Sequence, residues 1–416
     1  MRVSPEIQRI MLCIALSAVV LSSLTACQIA GGPIYADPTD DPVPYLGRAN
    51  TDFSLELFKT IAAEEPGENI FVSPASISLA LAMTLNGAKG ETAEKMAAVL
   101  GMQDMTLEEV NDAYFSLLKL LTQNDPGVEL SIANSLWSRK GVDFFDDFLD
   151  RTRQYYDAEV TSLDFNLPDA ADIINSWVEE HTNGKITDLI SPPVNPMTVM
   201  FLINAIYFNA DWQKPFDPDR THPVPFYLAD GGVIEHQVMF AGGSFPYLKR
   251  EGFQAVGLPY GKEGRTSMYV FLPDESHSLD GFVSGLTTAG WDEWLSALRP
   301  AEGTLGLPRF TVEYETELLD TLTKMGMGIA FDGQRADFSG MRPTPPSLYI
   351  SNVKHKAFVQ VDEEGTEAAA ATSVGIRVTS INIDAFSMTV DRPFFYAIVD
   401  NETGTILFMG SIADPR

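Results

Sequence analysis

An α+β fold is expected for this 416-residue chain, and three observations predict it. The composition is 45% hydrophobic and 10% aromatic, which suits a packed core and not a disordered chain. Helical and strand periodicities interleave without the strict βαβ alternation of a doubly wound sheet. No interior linker breaks the pattern, so one large domain replaces the two or three that length alone suggests.

In chain order, Arg2 and Arg9 precede an apolar run, Ile10 to Leu21, with the layout of a secretory signal. It ends in Leu24-Thr25-Ala26-Cys27, which resembles the bacterial lipoprotein cleavage box. Residues 1–26 are therefore read as a signal peptide and Cys27 as the lipidated first residue of the mature chain. Residues 27–49, rich in Gly and Pro, are read as a flexible tether. The chain is expected to be exported and held at the cell envelope or surface by its lipid, with secretion in soluble form as the alternative.

From Asn50 the body begins. Ile77, Leu81 and Leu85 recur at helical spacing within Ala75 to Asn86, and Gly87 stops that helix. Asp143 to Tyr156 and Asp169 to Thr182 read as amphipathic helices. Val199 to Phe208 and Met268 to Leu272 read as central strands, and Lys356 to Val361, Phe394 to Val399 and Thr405 to Met409 as strands near the C-terminus.

Several function classes are excluded or left without support. Against 28 Lys and Arg stand 57 Asp and Glu, a net charge of −29, so no broad phosphate-binding face is available and nucleic acid is not an expected partner. The cysteines are Cys13 and Cys27, so the body has no disulfide and no cysteine-based metal site. None of His181, His222, His236, His277 and His355 stands in a metal-ligand spacing. No nucleophile elbow, dinucleotide fingerprint or P-loop is present, and no cofactor, metal or enzymatic activity is expected. The pair Glu363-Glu364 reads as a solvated face in so acidic a chain.

The segment Thr366 to Val378 alternates. Thr366, Ala368, Ala370, Thr372, Val374, Ile376 and Val378 form a small or apolar face, and Glu367, Ser373, Gly375 and Arg377 fall on the other. Gly365 and the four residues Ala368, Ala369, Ala370 and Ala371 have poor strand propensity, so the segment can serve as a strand without being committed to one.

In this setting the chain resembles the serpins, serine protease inhibitors that insert a reactive loop into their main sheet. The resemblance runs from about Asp52 to Pro415 through ordered landmarks: Asn69 to Pro74; Thr182-Asn183-Gly184-Lys185; Leu202 to Phe208; Leu307-Pro308-Arg309-Phe310; Pro393-Phe394-Phe395; and Gly404 to Gly410. It implies a single domain at 50–416 with three β-sheets, eight to nine helices and an exposed reactive-centre loop at about 363–392. It implies a hinge at Glu363, Gly365, Thr366, Glu367 and Ala368 to Ala371. Ser73, Ser76, Asn204 and His355 match a polar cluster beneath the opening of the main sheet, and Trp212, Arg309 and Glu363 match the region where the loop first enters. Arg309 and Glu363 have opposite charges and can pair there.

Counted in the family register, the scissile bond is Thr379-Ser380. Threonine suits the shallow apolar pocket of an elastase-like or subtilisin-like protease. Arg377 is the rival, implying a trypsin-like target, and a non-inhibitory carrier is the third reading. The expected partner is a serine protease in covalent acyl-enzyme complex with a monomeric inhibitor.

Overall fold

A computed structural model describes residues 42–366 and 385–416 apart from 124 and 346, with side chains from residue 45. The signal region, Cys27, Glu367, Ala368 to Ala371, Arg377, Thr379 and Ser380 lie outside the described residues.

The first helix, Pro42–Glu64, begins inside the segment expected to be a tether. Proline is tolerated in a first helical turn, where its missing N–H has no intrahelical partner to lose. The apolar positions Leu46, Ala49 and Phe53 then recur at helical spacing and are all buried. Gly47 is required by close approach, since a Cβ there would stand 2.7 Å from the Thr403 carbonyl oxygen. The body therefore starts at least eight residues earlier than position 50 suggested.

Nine α-helices are present among the described residues. Pro74–Leu85 is buried on nearly every face, as its Ala- and Leu-rich pattern requires, and Ser73 caps it by accepting from the Ser76 N–H. Asp146–Tyr156 and Ala170–His181 lie within the two amphipathic patterns. Leu107–Leu121 carries its own start signal, since Thr106 and Glu109 form a capping box ahead of its apolar face.

The strands are β1 Ile70–Val72, β2 Val128–Arg139, β3 Ala158–Leu163, β4 Met200–Asp211, β5 His222–Tyr227, β6 Val233–Arg250, β7 Phe253–Pro259, β8 Thr266–Pro273, β9 Arg299–Pro308, β10 Phe310–Glu317, β11 Lys354–Val361, β12 Gly365–Thr366, β13 Phe386–Thr389, β14 Phe394–Asp400 and β15 Thr405–Ile412. The main sheet has the order β10-β11-β12-β4-β2-β3. The other nine strands form one ladder, β1-β15-β14-β8-β7-β6-β9-β13, with β5 also on β6. The long β6 divides it into two sheets. Its first part pairs with β5 and β9, and Tyr247 to Arg250 pair with β7, so three sheets result.

β14 and β15 are buried at every position, which explains their continuous apolar runs in place of alternation. On one face of the main sheet lies the large core, where Phe71 stacks on Phe408 with ring centroids 5.2 Å apart. On the other, Trp137, Ile203 and Ala205 pack under Ile174, Trp177 and Val178 of the helix Ala170–His181.

Leu46 is fully buried, so Leu46→Ala is expected to destabilise the native state by about 2–5 kcal/mol through lost burial and the cavity left behind. Urea unfolding followed by tryptophan fluorescence measures this, and an unchanged midpoint would return Leu46 to a tether.

Candidate functional site

Among the described residues β4 and β11 are joined only through β12. Val361 pairs with Thr366, Thr366 with Ala210, and Gly365 with Asp211. Both ladders are antiparallel, so β4 and β11 run parallel to each other on either side of a two-residue strand. Along the remainder of their length they present facing edges with backbone groups that no described strand satisfies.

The turn Asp362 to Gly365 makes this insertion. The Asp362 N–H donates to the Gly365 carbonyl at 3.0 Å, while Asp362 Oδ1 accepts from the N–H groups of Glu364 and Gly365. A side chain at Gly365 is impossible here, because its Cβ would lie 1.9 Å from the Ala210 carbonyl oxygen. Close approach to β4 thus dictates glycine, in addition to the low strand propensity noted in the sequence.

Trp212, Arg309 and Glu363 converge on this turn. The Trp212 indole N–H donates to the Asp362 carbonyl at 2.9 Å, and its backbone N–H donates to Glu364. Arg309 gives two bonds to Glu363 Oε1, from Nε at 2.9 Å and Nη2 at 2.5 Å, and the Thr221 hydroxyl donates to the same oxygen. Glu363 is only 5% exposed, which corrects its reading as a solvated carboxylate. Burial pushes its carboxyl up, but the bonds from Arg309 and Thr221 and the guanidinium charge outweigh this and hold it below the ordinary value. It remains ionised in the folded protein, and its contribution to stability is lost as pH falls through that depressed value.

One further residue of the site carried no motif. Tyr260 stacks on Trp212 at 4.4 Å and its hydroxyl meets Thr366 Oγ1 at 2.6 Å. The Tyr260 ring is wholly buried, which raises its phenol far above the usual range and keeps it a neutral partner. Thr366 is 2% exposed, so the small, uncharged side chain read from the sequence sits in the core.

The polar cluster below divides in two. The Ser73 N–H donates to His355 Nε2 at 3.1 Å, and Ser73 Oγ donates to the Leu407 carbonyl while accepting from the Ser76 N–H. Ser76 therefore enters through its backbone. Asn204 does not join this group: its amide donates to Asn134 Oδ1 at 2.7 Å, and Asn134 donates to the Tyr156 carbonyl. The separation has a register cause, since Asn204 stands opposite Asn134 on β2, whereas His355 is on β11 across the opening. Asn204 Oδ1 is buried without a hydrogen-bond partner among the described residues.

His355 accepts at Nε2, which places its ring proton on Nδ1 and makes it neutral. Burial lowers its pKa to about 4 from 6.5. As pH falls below the ordinary value the unfolded chain takes up a proton before the native state does, so up to about 3 kcal/mol of stability is lost across that window. His355→Gln is expected to remove this part of the acid sensitivity. Urea titrations at about pH 7 and pH 4 test it, and parallel losses in both proteins would assign the sensitivity elsewhere.

A family model described as Serpin (serine protease inhibitor) matches residues 48–415. The chain is 38% identical over 382 residues to the leukocyte elastase inhibitor of Sus scrofa, covering 89% of this chain and 99% of that protein. It is 36% identical over 377 residues to an uncharacterised serpin-like protein of Thermococcus kodakarensis, covering 90% and 86%. Among solved structures, the native state of the thermophilic serpin tengpin superposes with a TM-score of 0.82 at 34% identity, covering 93% of this chain and 98% of that one. Human thyroxine-binding globulin complexed with thyroxine gives 0.81 at 30% identity, covering 90% and 99%. With a main sheet interrupted between β4 and β11 and a family match across almost the whole described body, the chain belongs to the serpin family.

Proposed function

We propose that the protein is an irreversible suicide-substrate inhibitor of elastase-like or subtilisin-like serine proteases. The observation that carries this reading is β12, whose described residues Gly365 and Thr366 lie between the parallel strands β4 and β11, at the start of the segment that would insert there. The protease serine Oγ bonds to the Thr379 carbonyl carbon, the bond to the Ser380 nitrogen breaks, and the new amine takes the proton. The segment from Gly365 then zips between β4 and β11 with the enzyme still esterified to Thr379. About twelve inserted residues span about 40 Å at ~3.3 Å each, enough to carry the enzyme along the sheet and stall hydrolysis of the ester.

The register fixes what an inserted residue would meet midway along the strand. Thr366 faces Val361 and Ala210, so a ladder continued in that register brings Thr372 level with His355 and Asn204. Its hydroxyl then supplies a donor for Asn204 Oδ1, which has no hydrogen-bond partner among the described residues. The similarity to leukocyte elastase inhibitors supports the choice of target class. Arg377 falls on the opposite parity from Thr366, toward the outer face of the inserted strand, which accounts for it without a trypsin-like target.

Mixing the protein with pancreatic elastase, subtilisin and trypsin is expected to give a denaturant-resistant complex with one of the first two. The C-terminal fragment, separated under denaturing conditions, should begin at Ser380. Thr366→Arg places a charge against Tyr260 in the core, and Ala368→Pro removes a ladder N–H. Each should convert inhibitor to substrate, and undiminished complex formation in both would refute insertion.

The N-terminal reading rests on the sequence preceding the family match, which begins at residue 48. We propose cleavage before Cys27 and lipidation of its thiol, which anchors the inhibitor at the cell envelope or surface. Labelled palmitate should be incorporated by the wild type and lost in Cys27→Ser; an unlabelled protein in the medium would instead indicate soluble secretion.

A further inference from the structure

The run Thr182-Asn183-Gly184-Lys185 leaves the helix Ala170–His181 and begins a strap, residues 182–190. Asn183 and Gly184 both take positive φ, +48° and +78°, and reverse the chain there. The strap is fixed to its own helix. Thr182 Oγ1 donates to the Val178 carbonyl at 2.8 Å and accepts from the Ile186 N–H at 3.1 Å. The Asn175 amide donates to the Ile190 carbonyl and accepts from the Ile190 N–H, both at 2.8 Å. Helix and strap therefore form one body, and Ile186 joins the apolar cluster that contains Ile203 and Ala205 of β4.

The same strap reaches the other half of the main sheet. The Lys185 ammonium stands over the Phe358 ring of β11, 4.7 Å from its centroid. Along β11 half-buried and buried residues alternate, and Phe358 shares the half-buried face with Lys356 and Gln360, whereas His355 points to the core. Next to Phe358 on that face, the Lys356 ammonium is held by Glu313 at 2.9 Å; this bond raises its pKa, and the Asp188 carboxylate of the strap adds to the rise. One short segment thus touches β4 on one side of the opening and β11 on the other.

A ladder continued in the register of Thr366 would bring Ala369 level with Phe358 and Tyr207, and Ala371 level with Lys356 and Ala205, both on the face beneath the strap. The inserting segment is joined to β11 at one end and carries the esterified enzyme at the other. It therefore cannot be threaded under a strap held on both sides, and the strap must leave β11 for the strand to pass. We propose that Lys185 is a positioning residue for insertion: its contact with Phe358 clasps the strap over the seam, and release of that clasp sets how fast the strand enters. The role in the rate rests on the inhibitory reading, whereas the clasp rests on the contact itself.

Lys185→Met keeps an unbranched apolar stem and removes the charge, and Phe358→Leu keeps an apolar side chain and removes the ring face. Amide hydrogen exchange of the full chain should quicken about two- to fivefold over residues 182–190 and 354–361 in either variant, the worth of an exposed cation–π contact. The double variant should exchange no faster than the single ones, and the helix Leu107–Leu121 should be unchanged in all three. Unaltered exchange in both single variants, or additive effects in the double one, would overturn the clasp. With pancreatic elastase or subtilisin in saturating excess, the limiting rate of complex formation should rise about two- to fivefold in each variant. An unchanged rate beside faster exchange would overturn the role in insertion. Wild type that is cleaved without forming a complex would overturn the inhibitory reading and that role with it, and the exchange result then decides the clasp by itself.

Discussion

The architecture depends on a sheet whose two halves are joined, among the described residues, through Gly365 and Thr366. Gly365 and Thr366 bridge β11 and β4 at one end, and the geometry tolerates little there: Gly365 meets the backbone of Ala210 and Thr366 meets Tyr260. The adjoining turn is fixed by the ion pair Arg309–Glu363 and the Trp212 indole. Elsewhere the main sheet is tightly paired, with β2 and β4 in register from Val128–Ala210 to Ser138–Met200. Its weak seam is thus localised between strands that are themselves well held. Each half can move as a unit without first breaking its own ladder.

The polar groups beneath the seam fit that division. Ser73 and His355 tie β11 to the capped end of a buried helix and to β15, whereas Asn204 ties β4 to Asn134 and the helix Asp146–Tyr156. No hydrogen bond between described residues of the two groups crosses from Asn204 to His355. Apolar packing alone would hold both halves but give no preferred register on reclosing; directional bonds on each side keep the facing edges aligned for a strand to enter.

Much of this was legible in the chain. The buried strands announced themselves as unbroken apolar runs, and the helix at Pro74–Leu85 by its periodicity and its serine cap. Other features needed coordinates for identifiable reasons. The helical start at Pro42 was masked by prolines, which read as breakers unless the first turn is recognised. Glu363 looked solvated because local composition cannot report that Thr221 and Arg309, far away in sequence, converge on it. The family motif groups Asn204 with His355, but register across β2 decides its partner. Tyr260 belongs to no pattern, and its importance comes only from the Trp212 ring and the Thr366 hydroxyl that surround it.

The strand order of the second ladder has a consequence for synthesis. β15 lies between β1, formed near the start of the body, and β14. Until Thr405–Ile412 has been made, Phe71 lacks Phe408 and one edge of both neighbours stays unpaired. A nascent chain therefore cannot close its central core in the order in which it is produced, and must remain incompletely folded until its final strand arrives. The last element to emerge is also the one that locks the first in place.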